Sequence, residues 1–237
     1  MPLCTSAAIV LYYDITGDTA DHDHWHTHEH AHERLSIPGF ARESRWVSDT
    51  AASPRYLVLY EIDGVEVGTS PAYLDRLDHP TAWTSATMAR FRGMVRGFAS
   101  VVASAGFGLG RAAVSIRFQP PPGGEEALVA ALDGGRFAEF AAQRGIVAVH
   151  LLRPAPPPPM TQEQALRGAD KPLDWVLLTT GHDAALLRQA THDAYGPAAF
   201  AQQGVSSVQV AQYTLDYVAT AQEVGRSAPY HVAVGDR

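Results

Sequence analysis

The feature that most constrains this chain is a histidine-rich segment near its N-terminus. Six histidines occupy every second position from His22 to His32, mixed with acidic residues. A spacing of two is also that of a β-strand, but the segment runs into Pro38-Gly39, a strong stop signal for a helix. The segment is therefore predicted to be a helix, with Thr19 or Asp21 as its N-terminal cap.

A helix distributes these side chains over two faces, because residues three and four positions apart are neighbours. The first face is predicted to carry His26, His30 and Glu33, and the opposite face His24, His28, Ala31 and Leu35. An imidazole beside a carboxylate can take and return protons near neutral pH, which favours general acid–base chemistry.

A second chemistry fits the same helix. The pairs His26/His30 and His28/His32 have the i, i+4 spacing that can hold a divalent metal ion. A run of alternating histidines generates such pairs automatically, so the spacing is a weak signal. A solvated helix face with chance metal affinity explains most of the six histidines.

Composition excludes several classes of protein. The formal net charge is −7 and no basic cluster offsets it, so no nucleic-acid partner is expected. Cys4 is the only cysteine, which excludes intrachain disulfides and cysteine-based zinc sites. No apolar run reaches the ~18 residues of a membrane span, and the N-terminus lacks signal-peptide features. A cytoplasmic location without membrane association is therefore the expectation.

The order of elements repeats once along the chain. Each half is predicted to be a β-α-β-β-α-β unit, an α+β arrangement. The first unit is assigned to residues 1–106 and the second to 107–237, with Gly106–Gly110 as the hinge. The predicted strands are 7–13, 40–47, 55–62, 98–104, 112–118, 146–152, 174–180 and 205–218. Besides the histidine-rich segment, the predicted helices are 70–77, a piece from 81 toward 91, 125–132, 137–143 and 184–194.

The first half also carries a family resemblance. The motif Trp25-x-x-x-Glu29-His30-x-x-Glu33-Arg34-Leu35-x-x-Pro38-Gly39-Phe40 resembles the first-helix signature of the dimeric α/β-barrel proteins, especially the EthD-like branch. Segments 54–61, 70–74 and 91–94 resemble that branch as well, so the match covers roughly residues 5–104. The equivalent place in the second half, Phe137–Arg144, has no Glu-His pair. The resemblance implies two ferredoxin-like units that form a dimeric α/β barrel within one chain, with the histidine chemistry in the first unit only.

What the resemblance implies for activity is a range, from cofactor-independent monooxygenases, cyclases and isomerases to haem enzymes, and fold alone does not decide among them. The chain is interpreted as an acid–base enzyme, a lyase, isomerase or cyclase, acting on a small apolar or aromatic oxygenated substrate. No organic cofactor and no metal are expected. The alternatives are a metal- or haem-dependent oxidoreductase that uses the histidines as ligands, and a non-catalytic small-molecule binder.

The residue roles follow from the motif and the helix faces. His30 is the expected base, His26 is a second base or a relay, and Glu29 or Glu33 is expected to raise the basicity of His30. Arg34 is expected to hold a carboxylate or enolate oxygen, with a surface ion pair to Glu33 or Glu29 as its structural alternative. The residues expected to line the cavity are Trp25, Phe40, Tyr60 and Trp83. A small-molecule substrate is the expected partner, and homodimer formation is left open.

Overall fold

The computed structural model describes residues 3–48 and 50–226. Its strands lie where short apolar, β-branched and aromatic runs occur in the sequence. They are β1 (Ala7–Ile15), β2 (Phe40–Val47), β3 (Tyr56–Ile62), β4 (Phe91–Gly106), β5 (Ala112–Gln119), β6 (Ile146–Pro154), β7 (Lys171–Pro172), β8 (Trp175–Gly181) and β9 (Ser206–Thr220).

The helices begin at polar caps wherever the sequence offers them. Ser70 and Thr81 accept hydrogen bonds from first-turn N–H groups of α3 and α4, and Pro71 occupies the first position of α3. The helices are α1 (Thr19–Trp25), α2 (Ala31–Leu35), α3 (Pro71–Asp78), α4 (Ala82–Met88), α5 (Glu125–Leu132), α6 (Arg136–Ala141), α7 (Gln162–Arg167), α8 (Ala184–Tyr195), α9 (Pro197–Ala201) and α10 (Ala221–Arg226). A π-helical turn, His26–His30, joins α1 to α2, and a 3-10 turn, Val65–Thr69, precedes α3.

The strands close into a barrel. Their order is β1-β3-β2-β9-β5-β8-β6-β4, and β4 pairs with β1 to complete the ring. The first half contributes β4-β1-β3-β2 and the second contributes β9-β5-β8-β6, so the pairs β2–β9 and β4–β6 join the two halves edge to edge. Closure leaves neither four-stranded sheet with an open edge.

The apolar side chains form three clusters, one inside the barrel and one under the helices of each half. Both faces of the central strands are therefore covered, and every residue of β3 and of β8 is buried. Inside the barrel, Trp46 of β2 is fully buried, and the hydroxyl of Tyr12 lies 2.6 Å from that of Ser115 in the other half. The barrel interior thus ties the halves together.

Most expected elements are confirmed, and the exceptions have local causes. Asp18, rather than Thr19 or Asp21, caps α1, because its carboxylate accepts from the N–H of Ala20. The fourth strand starts at Phe91, seven positions before the expected start at 98, because its twisted first part pairs with the end of β1. The short helix α7 was not expected from the sequence. In the described part of the chain, no helix is both long and apolar enough to cross a bilayer.

The two halves differ most in the link between their second and third main strands. In the first half residues 48–55 join β2 to β3, whereas in the second half residues 155–174 join β6 to β8. The longer link begins in the proline-rich stretch 154–159 and contains α7, which packs on α3 and α4 of the first half. The second half therefore covers the helix layer of the first. The boundary between units at residue 106 stays a prediction.

This architecture predicts where a protease cuts first. Cleavage by a nonspecific protease should begin within 154–168, because residues 156–168 carry exposed side chains such as Met160 and pair with no central strand. Residues 105–111 should be cut later, since Gly106 is still paired to β6. Mass spectrometry of early fragments tests the order. Halves that separate and fold alone after a cut at 105–111 would contradict a shared barrel.

Candidate active site

The histidine-rich helix presents a row of four polar side chains, called the ladder below, to the interior of the first half. His22, His26, His30 and Arg34 recur every four residues and are all buried. In a regular α-helix four residues turn through roughly 400°, so each of these side chains would be rotated by about 40° around the helix axis relative to the one before it. The π turn contains an i→i+5 bond from the N–H of Ala31 to the carbonyl of His26, takes more residues per turn and corrects this rotation. It keeps all four side chains on one face.

The three histidines of this ladder stack along the helix. They are 0%, 2% and 7% exposed, and their ring centroids are 5.6 Å and 5.5 Å apart in sequence order. His22 is held at both ring nitrogens: Nδ1 lies 2.9 Å from Asp23 and Nε2 lies 3.3 Å from the hydroxyl of Tyr13. Burial lowers the pKa of His22, although Asp23 opposes that shift. His22 is thus held in place and anchors the first position of this row of side chains.

His26 faces a buried carboxyl group from the neighbouring strand. Its Nδ1 lies 3.1 Å from Oε1 of Glu43 on β2, and both side chains are almost fully buried. Burial holds the pKa of His26 well below 6.5 and raises the pKa of Glu43 to about 8. Both shifts favour uncharged forms, so at neutral pH the proton resides on the carboxyl and the imidazole is neutral.

His30 lies one turn further on, at the wall of a cavity between the helices and the sheet. The indole of Trp25 fixes its ring at a centroid distance of 4.5 Å. Burial, followed by the Arg34 guanidinium, holds the pKa of His30 well below 6.5. The imidazole is therefore neutral at physiological pH and has a lone pair available for a proton.

Arg34 pairs with a residue from the other half of the chain. Its guanidinium donates to Glu163 of α7, and both side chains are 5% exposed. Burial acts to lower the pKa of Arg34, but the adjacent Glu163 carboxylate outweighs it, so the guanidinium stays charged. The expected alternative of a surface ion pair with Glu33 or Glu29 is wrong, because the helix turns Arg34 inward.

The cavity is small and its wall is mixed. Its volume is about 30 Å³, room for one or two water molecules. The apolar part of the wall includes Ile9, Leu11, Met88 and Met94, and the polar part includes His26, His30, Arg34, Tyr60, Glu163 and Arg167. Burial raises the pKa of Tyr60 well above 10, so this phenol is neutral. The polar groups converge on one end of an apolar space.

Several polar atoms around this cavity have no hydrogen-bond partner among the described residues. On the cavity wall they are Nδ1 of His30 and Nη1 of Arg34. Nδ1 of His26 and the carboxyl oxygens of Glu43 also lack hydrogen-bond geometry, but they face one another at 3.1 Å. Buried polar atoms are normally satisfied, since each one left unpaired costs ~1–3 kcal/mol. Two such atoms on the wall of one cavity favour a polar ligand there.

Solved structures share this architecture over nearly the whole chain. An anthrone oxidase-like protein has a TM-score of 0.64 at 12% identity, over 92% of this chain and 94% of that one. A candidate monooxygenase from Lactobacillus acidophilus has a TM-score of 0.58 at 10% identity, over 91% and 97%. A haem-binding protein from Thermus thermophilus has a TM-score of 0.50 at 8% identity, over 88% and 91%. This chain has the dimeric α/β-barrel fold.

Neither a protein-family model nor a curated protein matches the sequence. Identities of 8–12% to these structures establish the barrel and leave its chemistry open. The expected α+β class and the tandem ferredoxin-like barrel are confirmed, whereas membership of the EthD-like branch stays a prediction.

The barrel places the expected carboxylates away from the expected base. Glu29 accepts hydrogen bonds from Trp25, Thr81 and Thr84, the closest at 2.6 Å from Thr81, and so links the helix to α4. Glu33 forms an ion pair with Arg76 of α3. The acceptor capacity of Glu29 and Glu33 is thus used in bonds that hold helices together. The carboxyl groups that face the ladder are instead Glu43 and Glu163.

Of the aromatic residues expected at the cavity of this barrel, Tyr60 alone belongs to its wall. Trp25 is fully buried behind His30, and its indole N–H donates to Glu29 and Thr84. Phe40 packs between Tyr60 and Tyr73. Trp83 of α4 packs against the exposed His24 of α1, with ring centroids 5.4 Å apart. Ala31 and Leu35 are buried, so the predicted grouping of these two residues with the exposed His24 is wrong.

The residues that the sequence did not indicate come from other elements of the barrel. Glu43 and Arg45 alternate with Ser44 along β2, but all three are buried because both faces of the strand are covered. The alternation therefore could not reveal which face meets the histidines. Glu163 and Arg167 lie on a six-residue helix in a link with no periodic pattern, 129 residues after Arg34 in the case of Glu163. The one available signal was the pair of charges at i, i+4 on that helix.

The donor groups do not fit a metal ion as they are arranged. Within residues 3–48 and 50–226, no three histidine, cysteine or acidic side chains come together in a way that could hold one.

The Glu43 assignment makes a prediction about stability. Between about pH 4.5 and 8 the native protein keeps the Glu43 proton, whereas the unfolded chain loses it. The free energy of unfolding of the wild type should therefore fall as the pH rises, by up to ~1.4 kcal/mol per pH unit relative to that of Glu43→Gln. Titratable groups that do not contact Glu43 cancel in the difference. Urea unfolding at pH 5, 6.5 and 8 measures it. Glu126→Gln, an exposed carboxylate paired with Arg153, should parallel the wild type. Parallel curves for Glu43→Gln as well would refute the buried neutral carboxyl.

Proposed function

We propose that this protein is a proton-transfer enzyme that acts on a small carbon acid, a substrate whose C–H bond is acidified by an adjacent carbonyl or phenol oxygen. His30 is the base. The observation that supports this proposal is a buried, neutral imidazole with an unpartnered Nδ1 beside a buried guanidinium with an unpartnered Nη1.

His30 fits the role of base in three respects. It belongs to the cavity wall, its ring is fixed by Trp25, and its pKa lies well below 6.5, so it is unprotonated when the substrate arrives. Nδ1 takes the proton, and the electron pair of the broken C–H bond moves onto the substrate oxygen as an enolate. His26 stands one turn away, next to the protonated Glu43, and is the second candidate for the base.

Arg34 supports the second half of the same step. The enolate oxygen develops negative charge, and a preorganised guanidinium in a site that excludes water stabilises that charge most strongly. One side of the guanidinium is engaged by Glu163, while Nη1 has no partner among the described residues. We assign Nη1 to the enolate oxygen. The buried cation and the neutral base are thus complementary to the transition state of proton abstraction.

The fate of the enolate sets the reaction class. Return of the proton to a different carbon gives an isomerase, and loss of a leaving group gives a lyase. Reaction with dissolved dioxygen, which converts a CH₂ group to a carbonyl with release of water, gives a cofactor-independent oxygenase. The names of the fold neighbours, an anthrone oxidase-like protein and a candidate monooxygenase, make anthrone a rational first probe beside small phenols, lactones and enolisable ketones.

The competing functions differ in what they require of His30. A metal- or haem-dependent oxidoreductase would need the histidines as ligands, and a container would need no base at all. Exchange of the acidic C–H for deuterium in D₂O under anaerobic conditions reports proton abstraction alone, and oxygen uptake in air reports the reaction of the enolate with dioxygen. Exchange without uptake assigns an isomerase or lyase, and exchange with uptake assigns an oxygenase. Failure of every probe to exchange would contradict the proposal.

Replacement of the base gives the decisive prediction. His30→Gln should retain the fold, because glutamine is a tolerable helix former of similar reach, and should slow exchange by ~10²–10⁴-fold, as is typical for loss of a positioned proton-transfer group. In the wild type, the rate should be level from pH 6.5 upward and fall only at lower pH, because burial lowers the pKa of His30. NMR of the exchanging proton measures both effects.

The matched control is His24→Gln, which makes the same change on the exposed side of the helix. It should leave the exchange rate within about twofold of the wild type, the ordinary effect of a surface change. Full activity of His30→Gln together with loss of activity in His26→Gln would move the base one turn along the ladder. Full activity in both variants would place the chemistry outside the ladder.

A further inference from the structure

The cavity as it stands is too small for any of the proposed substrates. A volume of about 30 Å³ admits one or two water molecules, whereas the ring of a phenol alone requires several times that. Some part of the wall must move for an organic molecule to enter. Helix α7 is the part of the wall that comes from a link between strands and not from the barrel or the helices of the first half.

Helix α7 is attached to the first half by polar contacts and is followed by a glycine. It begins after the proline-rich stretch 154–159 and ends at Gly168, whose φ of +91° is the left-handed conformation that favours glycine. Its first N–H, that of Gln162, donates to Asp78 at 2.9 Å. Its outer side chains are exposed, as Leu166 shows. The strands of the barrel, by contrast, are paired on both sides.

The contact that α7 makes with the cavity is a carboxylate on a guanidinium. Glu163 accepts from Arg34, and its other oxygen lies 3.9 Å from Arg167. Arg167 is itself engaged by Asp170, with bonds of 2.8 Å and 2.9 Å. Arg96, also on the cavity wall, lies 3.9 Å from the same aspartate. These five side chains are at most 10% exposed.

Departure of α7 would leave Arg34 without an anion. Glu163 and Arg167 both belong to α7 and would leave together, whereas Arg34 stays with the first half. A buried cation is costly to leave unpaired, and a carboxylate is its best partner because the guanidinium binds it in a bidentate manner. If a ligand carboxylate replaced Glu163, the Glu163 side chain would leave with α7 and return to solvent.

We propose that Arg34 is a carboxylate-binding site, which Glu163 occupies as an internal stand-in until a substrate carboxylate displaces it together with α7. This inference deepens the proposed function, since it narrows the substrate from a carbon acid to a carbon acid that bears a carboxylate. It also assigns the opening of the cavity to the binding of that group.

Binding of a simple probe pair tests the subsite without any turnover. Benzoate should bind wild-type protein at least about tenfold more tightly than benzamide, its uncharged isostere, by isothermal titration calorimetry. Glu163→Gln removes the competing carboxylate and should tighten benzoate by a further tenfold or more, while benzamide changes by less than about twofold. Glu126→Gln removes an exposed carboxylate and should change neither. Equal affinities for the two probes, or no response to Glu163→Gln, would overturn the subsite.

Movement of α7 has a separate readout. Thermolysin cleavage within 155–168 should accelerate when benzoate is added to the wild type, and should be rapid without benzoate in Glu163→Gln. Arg34→Lys keeps the charge but cannot bind a carboxylate in a bidentate manner, so it should weaken benzoate relative to benzamide. An unchanged cleavage rate in the presence of saturating benzoate would refute the displacement of α7.

The two proposals fail separately. If no probe exchanges its proton but benzoate still binds in a Glu163-dependent way, the proton-transfer function is wrong and the carboxylate subsite stands. If exchange depends on His30 but carboxylates bind no better than amides, the function stands and the subsite is wrong.

Discussion

The candidate site depends on the burial of a guanidinium under the helices of the first half. A cation of this kind must find an anion, because leaving it unpaired in the interior costs several kcal/mol. Arg34 obtains its anion from Glu163, which belongs to the other half of the chain. That pair joins α7 to the first half and closes the cavity, and the Arg34 charge adds to burial in keeping His30 neutral. The packing of α7, the cavity volume and the protonation state of the expected base are therefore linked through Arg34.

The four-residue spacing of buried polar side chains along the first helix is a second constraint on the site. Four buried polar side chains on one face would be a liability in an ordinary amphipathic helix, since each must be satisfied or left ready for a ligand. Here the π turn aligns them, and the strand below contributes Glu43, a carboxyl that burial keeps protonated. The result is a row of neutral polar groups that ends at a fixed charge.

Sequence patterns predicted much of this fold and about half of its site. The β-branched runs and the caps at Ser70 and Thr81 predicted the strands and α3 and α4, because those signals are local. The shared face of His26 and His30 was predictable for the same reason. Glu43 was not predictable, because both faces of β2 are buried and the sequence pattern does not show which face meets the histidines. Glu163 was not predictable either. It lies 129 residues after Arg34, on a six-residue helix whose sequence shows no helical periodicity.

The unequal links between strands bear on how such a barrel diverges. In a barrel assembled from two identical subunits, one gene specifies both links, and any lengthening appears twice. Joining the halves in one chain removes that coupling, so residues 155–174 could lengthen while residues 48–55 stayed short. The half without the Glu-His motif is also the half that supplies the cover. With both halves in one chain, each half can carry features that the other lacks.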